Sequence, residues 1–479
     1  MNHDIIKLLD LKDSDLIIDG PVIKKNKKIL TVTKKLEPVF CPVCGSRMHS
    51  KGIYTRTVNH PVLQDGYQLI LELKQRRWRC TDPLCDNILN DSFSFVQPNK
   101  RNTNITDISI VMAFKDLHLS ASQIAERFSV SDTYAINTFA RHVDMPRRQL
   151  PEIISIDEVH VNVSKVCNYA LVIQDFKTGE PVDMIANRRQ EITEPYFQNI
   201  PFSERKQVKY LISDMYRPYL GYVDKYFPNA VNVVDSFHVI KMINEKLLRY
   251  LRDLQRKYRQ SDEERHKGLE QELGRKVDFT TSKEYYLLKK YKWLILKNQD
   301  DIHYSSKAHY NYKLRQYVTI GDIDRMLLRI DPNLKELRDL KERYIRFNKR
   351  FGNDYKRSKA ELQNLIDLYR KTQYDIFHDV ADSLTYHFDA IANSFLMVQR
   401  HCAGNAHISR LSNGPMESLN RLVKDLKRNG HGYHNFEHLR NRFLFSQREN
   451  ASILATPKPL EEVCPKTGRQ RGPYKKKEQ

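Results

Sequence analysis

The chain has 479 residues, 40% hydrophobic and 29% charged, enough apolar material for about three packed domains and too much for a disordered chain. Lys and Arg number 80 against 59 acids, a formal charge of +21 with a pI near 9.4. That excess points to an anionic partner, nucleic acid before a membrane surface. No run approaches the ~18 apolar residues of a spanning helix, and acids interrupt the apolar positions of MNHDIIKLLDLKDSDLIID at the N-terminus, which argues against a signal peptide. The expectation is a soluble, intracellular protein.

Residues 1–100 read as an N-terminal zinc-ribbon domain. Strand-like pieces (LIIDG, KKILTVTKKL) lead into the first of two cysteine pairs, and the alternating YQLILELKQRRWRC leads into the second. Of 7 cysteines, Cys41, Cys44, Cys80 and Cys85 cluster, while Cys167, Cys402 and Cys464 are isolated. C-x2-C and C-x4-C pairs on tight turns present four thiolates to one tetrahedral Zn²⁺. His49 or His60 can replace a cysteine in that set, and a redox pair or unrelated buried thiols is the competing reading. Four protein ligands leave no open position, so the expected zinc is structural.

Residues 101–148 are expected to form a helix-turn-helix DNA-binding domain. Ser120 or Ser122 caps a first short helix, Ser131 or Asp132 caps a second running through Arg141, and Ile124, Ala125, Phe128, Val130, Ile136 and Phe139 supply the inner face. Ser131, Thr133, Tyr134, Asn137 and Arg141 are then the candidate DNA contacts on the second helix. A plain helical hairpin has the same local pattern.

From 149 to 240 the period changes to short Val- and Ile-rich strands: IISID, NYALVIQD, VDMIANR, VKYLISD and AVNVVD, with a helix expected at PYLGYVDKYF. This is an α/β pattern with a mixed sheet. Asp157, Asp214 and Asp235 each close one of these apolar runs. Converging carboxylates repel unless divalent cations lie between them, which is the logic of a two-metal phosphoryl-transfer site. Residues 241–403 are charged and helical. In 404–450 a helix starts at Ser412-Asn413-Gly414-Pro415-Met416-Glu417. Its apolar stripe is Met416, Leu419, Val423 and Leu426, and Glu417, Asn420, Arg421, Lys424 and Arg428 fall on the other face. Residues 451–479 read as a basic disordered tail.

SIDEVHV, LISDMYRPYL, FPNAVNVVDSFHVIK, KKYKWLILKN and SNGPMESLNRLVKDLKRNGHGYHNFEHLRNRFLF resemble blocks of the ISL3-type insertion-sequence transposases. The order of parts is similar too: zinc ribbon, helix-turn-helix, then a catalytic domain interrupted by helices. The resemblance implies an RNase H-like α/β fold with a DDE triad of Asp157, Asp214 and Glu417 holding two Mg²⁺ (or Mn²⁺) ions. Asp235 and His238 match a D-x-x-H signature and are accessory, although an alternative alignment makes Asp235 the second acid. The implied function is cleavage and strand transfer at the element's terminal inverted repeats, by a homodimer or larger assembly in the nucleoid-associated bacterial cytoplasm. Arg421, Lys424, Lys427 and Arg428 then contact phosphates. A catalytically inactive DNA-binding regulator would share the binding parts, and a nuclease of RNA–DNA hybrids would not need the helix-turn-helix.

Overall fold

The computed structural model describes residues 2–61, 67–163, 168–351, 354–402 and 405–464; Cys167 and the tail from 465 onward lie outside the described residues. After α1 (Asn2–Leu8), strands β1 (Leu16–Lys24) and β2 (Lys27–Lys34) pair antiparallel. Strand β2 then runs parallel to β4 (Gln68–Cys80), which pairs antiparallel with β3 (Met48–His60) and β5 (Ile88–Asn90). Leu69, Leu71 and Leu73 alternate along β4 and bury one face against Val32, Val58, Phe93 and Phe95. At the far end of β3, His60 Nδ1 lies 3.1 Å from the Thr103 hydroxyl, tying this sheet to the next unit.

That unit is three helices, α2 (Asn104–Ala113), α3 (Ala121–Phe128) and α4 (Asp132–His142). Ser120 and Gln123 form a reciprocal capping box on α3, Ser129 turns the chain in the left-handed region at φ 53°, and the Ser131 hydroxyl accepts from Tyr134 N at 3.2 Å to start α4. The three helices are fused to the C-terminal half of the chain through a common core. Phe114 and Phe139 pack at 4.7 Å between ring centroids, Phe139 meets Phe445 at 5.6 Å, and the same core takes in Val159, Val172, Met416 and Phe443.

The second sheet is built from β6 (Ile153–His160), β7 (Tyr169–Asp175), β8 (Pro181–Ile185), β9 (Tyr210–Ser213) and β10 (Val231–Val234), in the order β10-β9-β6-β7-β8. Strands β10, β9 and β6 are mutually parallel, and β7 is antiparallel to β6 and β8. Helices α5 (Gln190–Gln198) and α6 (Phe202–Arg205) connect β8 to β9, and α7 (Arg217–Tyr226) connects β9 to β10. One expectation needs correcting: the first strand does not end at Asp157. It continues to His160 against β7, because Glu158, Val159 and His160 still find ladder partners there.

The 38-residue α8 (Ser236–Leu273) leads out of the sheet. Val239, Ile243, Leu247, Leu251 and Leu254 seam its first half onto the insertion, and its far half is charged and mostly exposed. The insertion continues through α9 (Lys283–Tyr291), α10 (Trp293–Leu296), a hairpin of β11 (His309–Asn311) and β12 (Gln316–Val318), and α11 (Ile320–Leu328). Helices α12 (Asn333–Arg350), α13 (Tyr355–Arg370), α14 (Asp375–Tyr386) and α15 (Phe388–Asn393) close it. A further hairpin, β13 (Met397–Cys402) and β14 (Asn405–Arg410), pairs across the boundary expected at 403. Leu396, Val398 and Leu411 pack it on Ile153, Ile212 and Val233, so it belongs with the sheet rather than the insertion.

Helices α16 (Gly414–Asn429) and α17 (Phe436–Gln447) then return to the sheet, followed by α18 (Leu460–Val463). Residues 451–464, expected to be tail, are docked on α4: Leu454 N donates to His142 O and Lys458 N to Arg141 O, both at 2.8 Å. Backbone pairing of that kind orders a segment whose composition alone reads as solvated. Among the described residues no helix is long and apolar enough to cross a membrane.

Burial holds the His60 imidazole well below its ordinary value near 6.5, at about 4. Between those values the unfolded chain binds a proton that the folded chain does not, so stability falls as pH drops through this window, by up to about 3 kcal/mol. Denaturant midpoints measured against pH should fall less steeply below pH ~6.5 in His60→Gln than in the unaltered chain.

Candidate active site and metal centre

The zinc-type cluster forms where strand ends meet. Cys41 and Cys44 lie on the turn before β3, and Gly45 there takes φ 75°, a conformation open to glycine. Cys80 closes β4 and Cys85 lies on the next turn. Cys41 Sγ is 3.7 Å from Cys85 Sγ, Cys44 Sγ is 3.4 Å from Cys80 Sγ, and all four sulfurs fall within 4.8 Å of one another. Four sulfurs each ~2.3 Å from a shared ion stand ~3.8 Å apart, so the set fits tetrahedral Zn²⁺. Neither histidine joins it: His49 is exposed on β3, and His60 is committed to Thr103. The Asn87 amide donates to Cys41 Sγ at 3.3 Å, the kind of outer support that thiolate ligands use.

In the second sheet, strand register does what sequence spacing could not show. Ser155 pairs with Ile212, so Asp157 and Asp214, two residues further on, stand opposite one another; Ser213 pairs with Val234, so Asp214 and Asp235 do as well. Extended past their last pairs, these ladders bring the three aspartates side by side: Asp214 and Asp235 just beyond the carboxyl ends of β9 and β10, and Asp157 within β6, which runs on to His160.

The three differ in what answers their charge. Asp235 is buried, with 6% of its surface exposed. One oxygen accepts from Phe237 N at 3.2 Å, capping α8, and the other accepts from Asn413 N at 2.8 Å, at the start of α16. His238, one turn on, faces the Asn413 side-chain amide at 3.4 Å. Both residues thus hold the α8 and α16 starts together. Asp214 accepts from Tyr216 N at 2.9 Å in an Asx turn. Asp157 accepts from Glu158 N at 2.8 Å and from the Asn420 amide at 2.9 Å. Burial pushes the Asp157 carboxyl up to about 6; its neighbours Asp214 and Glu158 add to the rise, and the Glu158 amide and His238 oppose it.

Glu417 lies in the first turn of α16, exposed, and its side chain makes no hydrogen bond or ion pair among the described residues. It precedes Asn420 by one helical turn, so the Asn420–Asp157 bond brings that face of α16 to β6. The carboxylates of Asp157, Asp214 and Glu417 are not gathered within 4.8 Å as the four thiolates are. Asn420, expected on the polar outer face, is buried and was missed as a site residue. Its signal was present: three residues after Glu417, on the edge between the helix's apolar and polar faces.

Of the other acids in the strands of this sheet, Glu158 and Asp183 have basic partners, while Asp175 accepts from Lys177 N at 2.8 Å within its own turn. Glu158 pairs with Arg188 and accepts from the Tyr219 hydroxyl, and Asp183 pairs with Arg440 at 2.6 Å. By contrast, Asp157, Asp214 and Glu417 have no Lys or Arg partner among the described residues, in a chain with 80 basic residues. From Tyr216, two residues beyond Asp214, opens a groove of about 700 Å³ whose lining includes Arg188, Arg189, Glu191, Tyr216, Arg217 and Lys225. Arg421, Lys424 and Arg428 are exposed along α16; Lys427 is half-buried, and Arg428 contacts Asp425 at 3.1 Å.

On α4, Ser131 and Thr133 are exposed and Asn137 is half-buried. Two residues expected beside them are engaged inside the protein. The Tyr134 hydroxyl donates to Asp107 at 2.6 Å, with burial pushing it up to about 12, and Arg141 Nε donates to Lys458 O at 2.7 Å.

A four-cysteine zinc ribbon joined to an α/β sheet with an acidic carboxyl edge and a basic groove defines a multidomain metal-binding protein suited to a polyanion. A family model described as transposase (DDE_Tnp_ISL3) matches residues 154–443, more than half of the chain, and a second, described as zinc-finger of transposase IS204/IS1001/IS1096/IS1165, matches residues 37–85. The chain belongs to the ISL3-family transposases. Among curated proteins no match is found.

Two substitutions probe these arrangements. Cys80→Ser should lose the single zinc equivalent found by metal analysis and unfold the ribbon, since structural zinc binding is folding free energy. Asn420→Leu should lower global stability by about 1–3 kcal/mol, read from denaturant midpoints, because it removes a bond to a buried carboxylate.

Proposed function

We propose that this chain is an active DDE transposase whose RNase H-like domain cleaves DNA at the ends of its own element and joins them to target DNA. The observation that supports the reading is that Asp157 and Asp214, on neighbouring parallel strands of the mixed sheet, and Glu417, in the first turn of the helix that returns onto β6, have no Lys or Arg partner among the described residues of a strongly basic protein. The sheet order, with β6 central between a parallel pair and an antiparallel pair, and the return of α16 onto β6 support the fold assignment.

Asp157, Asp214 and Glu417 are oxygen donors of the kind Mg²⁺ or Mn²⁺ prefers. Such ions, when bound there, supply activation of the attacking oxygen and neutralisation of charge at the scissile phosphate. Asp157 is held in place by Asn420, Asp214 by its own turn, and Glu417 stands exposed in the first turn of α16, one turn before Asn420. Asp235 and His238 are positioning residues: they hold the backbone at Asn413, one turn before Glu417. The groove that opens from Tyr216 and the exposed Arg421, Lys424 and Arg428 bind phosphates, which sets affinity and salt dependence. The helix-turn-helix formed by α3 and α4 reads the terminal inverted repeats with the zinc ribbon, with Ser131, Thr133 and Asn137 presented on the accessible side of α4. Two ends processed together call for a homodimer or larger assembly, acting on the nucleoid in the cytoplasm.

The test is cleavage of a labelled duplex carrying the element's end, with Mg²⁺, alongside a binding assay. Asp157→Asn, Asp214→Asn and Glu417→Gln should each cut at least about 100-fold more slowly while binding is kept, the loss expected for several kcal/mol of metal-supplied stabilisation. Asp235→Asn should lower stability and slow cutting without abolishing it. Full cutting by Asp214→Asn overturns the triad, and tight binding with no cutting by the unaltered chain makes the protein a DNA-binding regulator.

A further inference from the structure

The helical insertion carries a surface that the acid row does not use. In the β11–β12 hairpin, Tyr310 pairs directly with Tyr317, so the two project from one face, and Tyr312 lies in the turn that follows β11. Their rings form one cluster, with Tyr310 centred 5.1 Å from Tyr312 and 5.2 Å from Tyr317. Tyr312 is 87% exposed and Tyr317 73% exposed.

The hairpin is fastened from its other face. Leu314 and Val318 are buried in the core shared by α9 and α11. The Asn311 amide faces the hydroxyls of Tyr286 at 3.2 Å and Tyr291 at 3.3 Å, while its carbonyl oxygen accepts from Lys313 N and Leu314 N, both at 3.1 Å. The rings are thus presented by a braced element rather than a loose loop. Beside them lies a groove of about 600 Å³ lined in part by Lys290, Lys307, His309 and Lys313, with no carboxylate among its described lining residues. Lys290 reaches over the rings of Tyr286 and Tyr291.

We propose that this hairpin is a binding site for an unpaired DNA strand, whose bases stack on Tyr310, Tyr312 and Tyr317 and whose phosphates lie against Lys290, Lys307 and Lys313. The inference rests on the proposed action of the chain on DNA. Exposed ring faces beside a cationic groove match a single strand, because splayed bases offer π-faces and phosphates together, whereas a duplex keeps its base faces stacked inside. The element that carries the hairpin is joined to the sheet through α8. Helix α9 meets α8 where Gln255 donates to Leu288 O at 2.6 Å, and at ~1.5 Å rise per residue this contact lies ~30 Å along α8 from Asp235.

Fluorescence anisotropy of the full-length protein with a labelled oligothymidylate, and separately with the duplex element end, tests this. The Tyr312→Ala/Tyr317→Ala double variant should bind the single strand about tenfold or more weakly, given the usual contribution of base–aromatic stacking, and the duplex within about twofold of the unaltered chain. Tyr312→Phe/Tyr317→Phe should bind the single strand as the unaltered chain does, because the ring face is kept. Undiminished single-strand binding by the alanine variant overturns the proposal, as does an unaltered chain that binds the duplex but not the oligothymidylate. A chain that binds neither form overturns the DNA reading itself.

Discussion

The structure depends on one register. Strands β6, β9 and β10 run parallel and in step, so extending their ladders brings Asp157, Asp214 and Asp235 side by side. Three like charges a strand apart are unfavourable, and the protein answers each one differently. Asp235 is converted into a joint between two helix starts. Asp214 turns the chain two residues before Tyr216, which lines a largely basic groove. Asp157 is half-buried against Asn420, and burial pushes its carboxyl up to about 6. Gathering acid in this way is a local cost in stability, and its position beside Arg188, Arg217 and Lys225 makes sense when the missing charge is brought by what binds there.

The same joint connects parts that lie far apart in the chain. Asp235 touches Asn413 across the whole insertion, and Arg410, just before it, donates to the Ser394 carbonyl at 3.1 Å and to the Asn348 side chain at 2.7 Å. A large helical insertion can be tolerated here because its entry, α8, and its exit, before α16, are tied at one point. The helices before the sheet are bound to it as firmly, since Phe114 and Phe139 share a core with Phe443 and Phe445. The same core takes in the apolar stripe of α16, so α4, α16 and α17 pack as one unit.

Much of the site was legible in the sequence because its signals are local. The C-x2-C and C-x4-C spacing marks tight turns, the serines before α3 and α4 mark caps, and the Val- and Ile-rich runs mark the five strands of the sheet in their chain order. The 3.6-residue stripe of α16 correctly separates Met416, Leu419, Val423 and Leu426, all buried, from Glu417, Arg421 and Lys424. The misplacements share a different origin. Asp157 reads as a strand end because the apolar run stops there, but β7 supplies ladder partners beyond it. Tyr134 and Arg141 read as outward residues of α4, but Asp107 and the 451–464 segment meet them. Asn420 reads as solvated until β6 is placed beneath it. In each case the deciding partner lies on another element.

The sequence by itself determined the identities and the local geometry: which thiolates lie on turns, which residues start helices, which face of α16 is apolar, and that the chain carries a large positive charge. These come from backbone propensity and side-chain chemistry within a few residues. Tertiary structure decided which acids share an edge and which stay without a basic partner. It decided that the two histidines near the zinc cluster are not in it, and that three tyrosines of the insertion stand together on a braced hairpin. Those depend on strand register and on contacts between segments up to hundreds of residues apart, where packing rather than local preference chooses the neighbour.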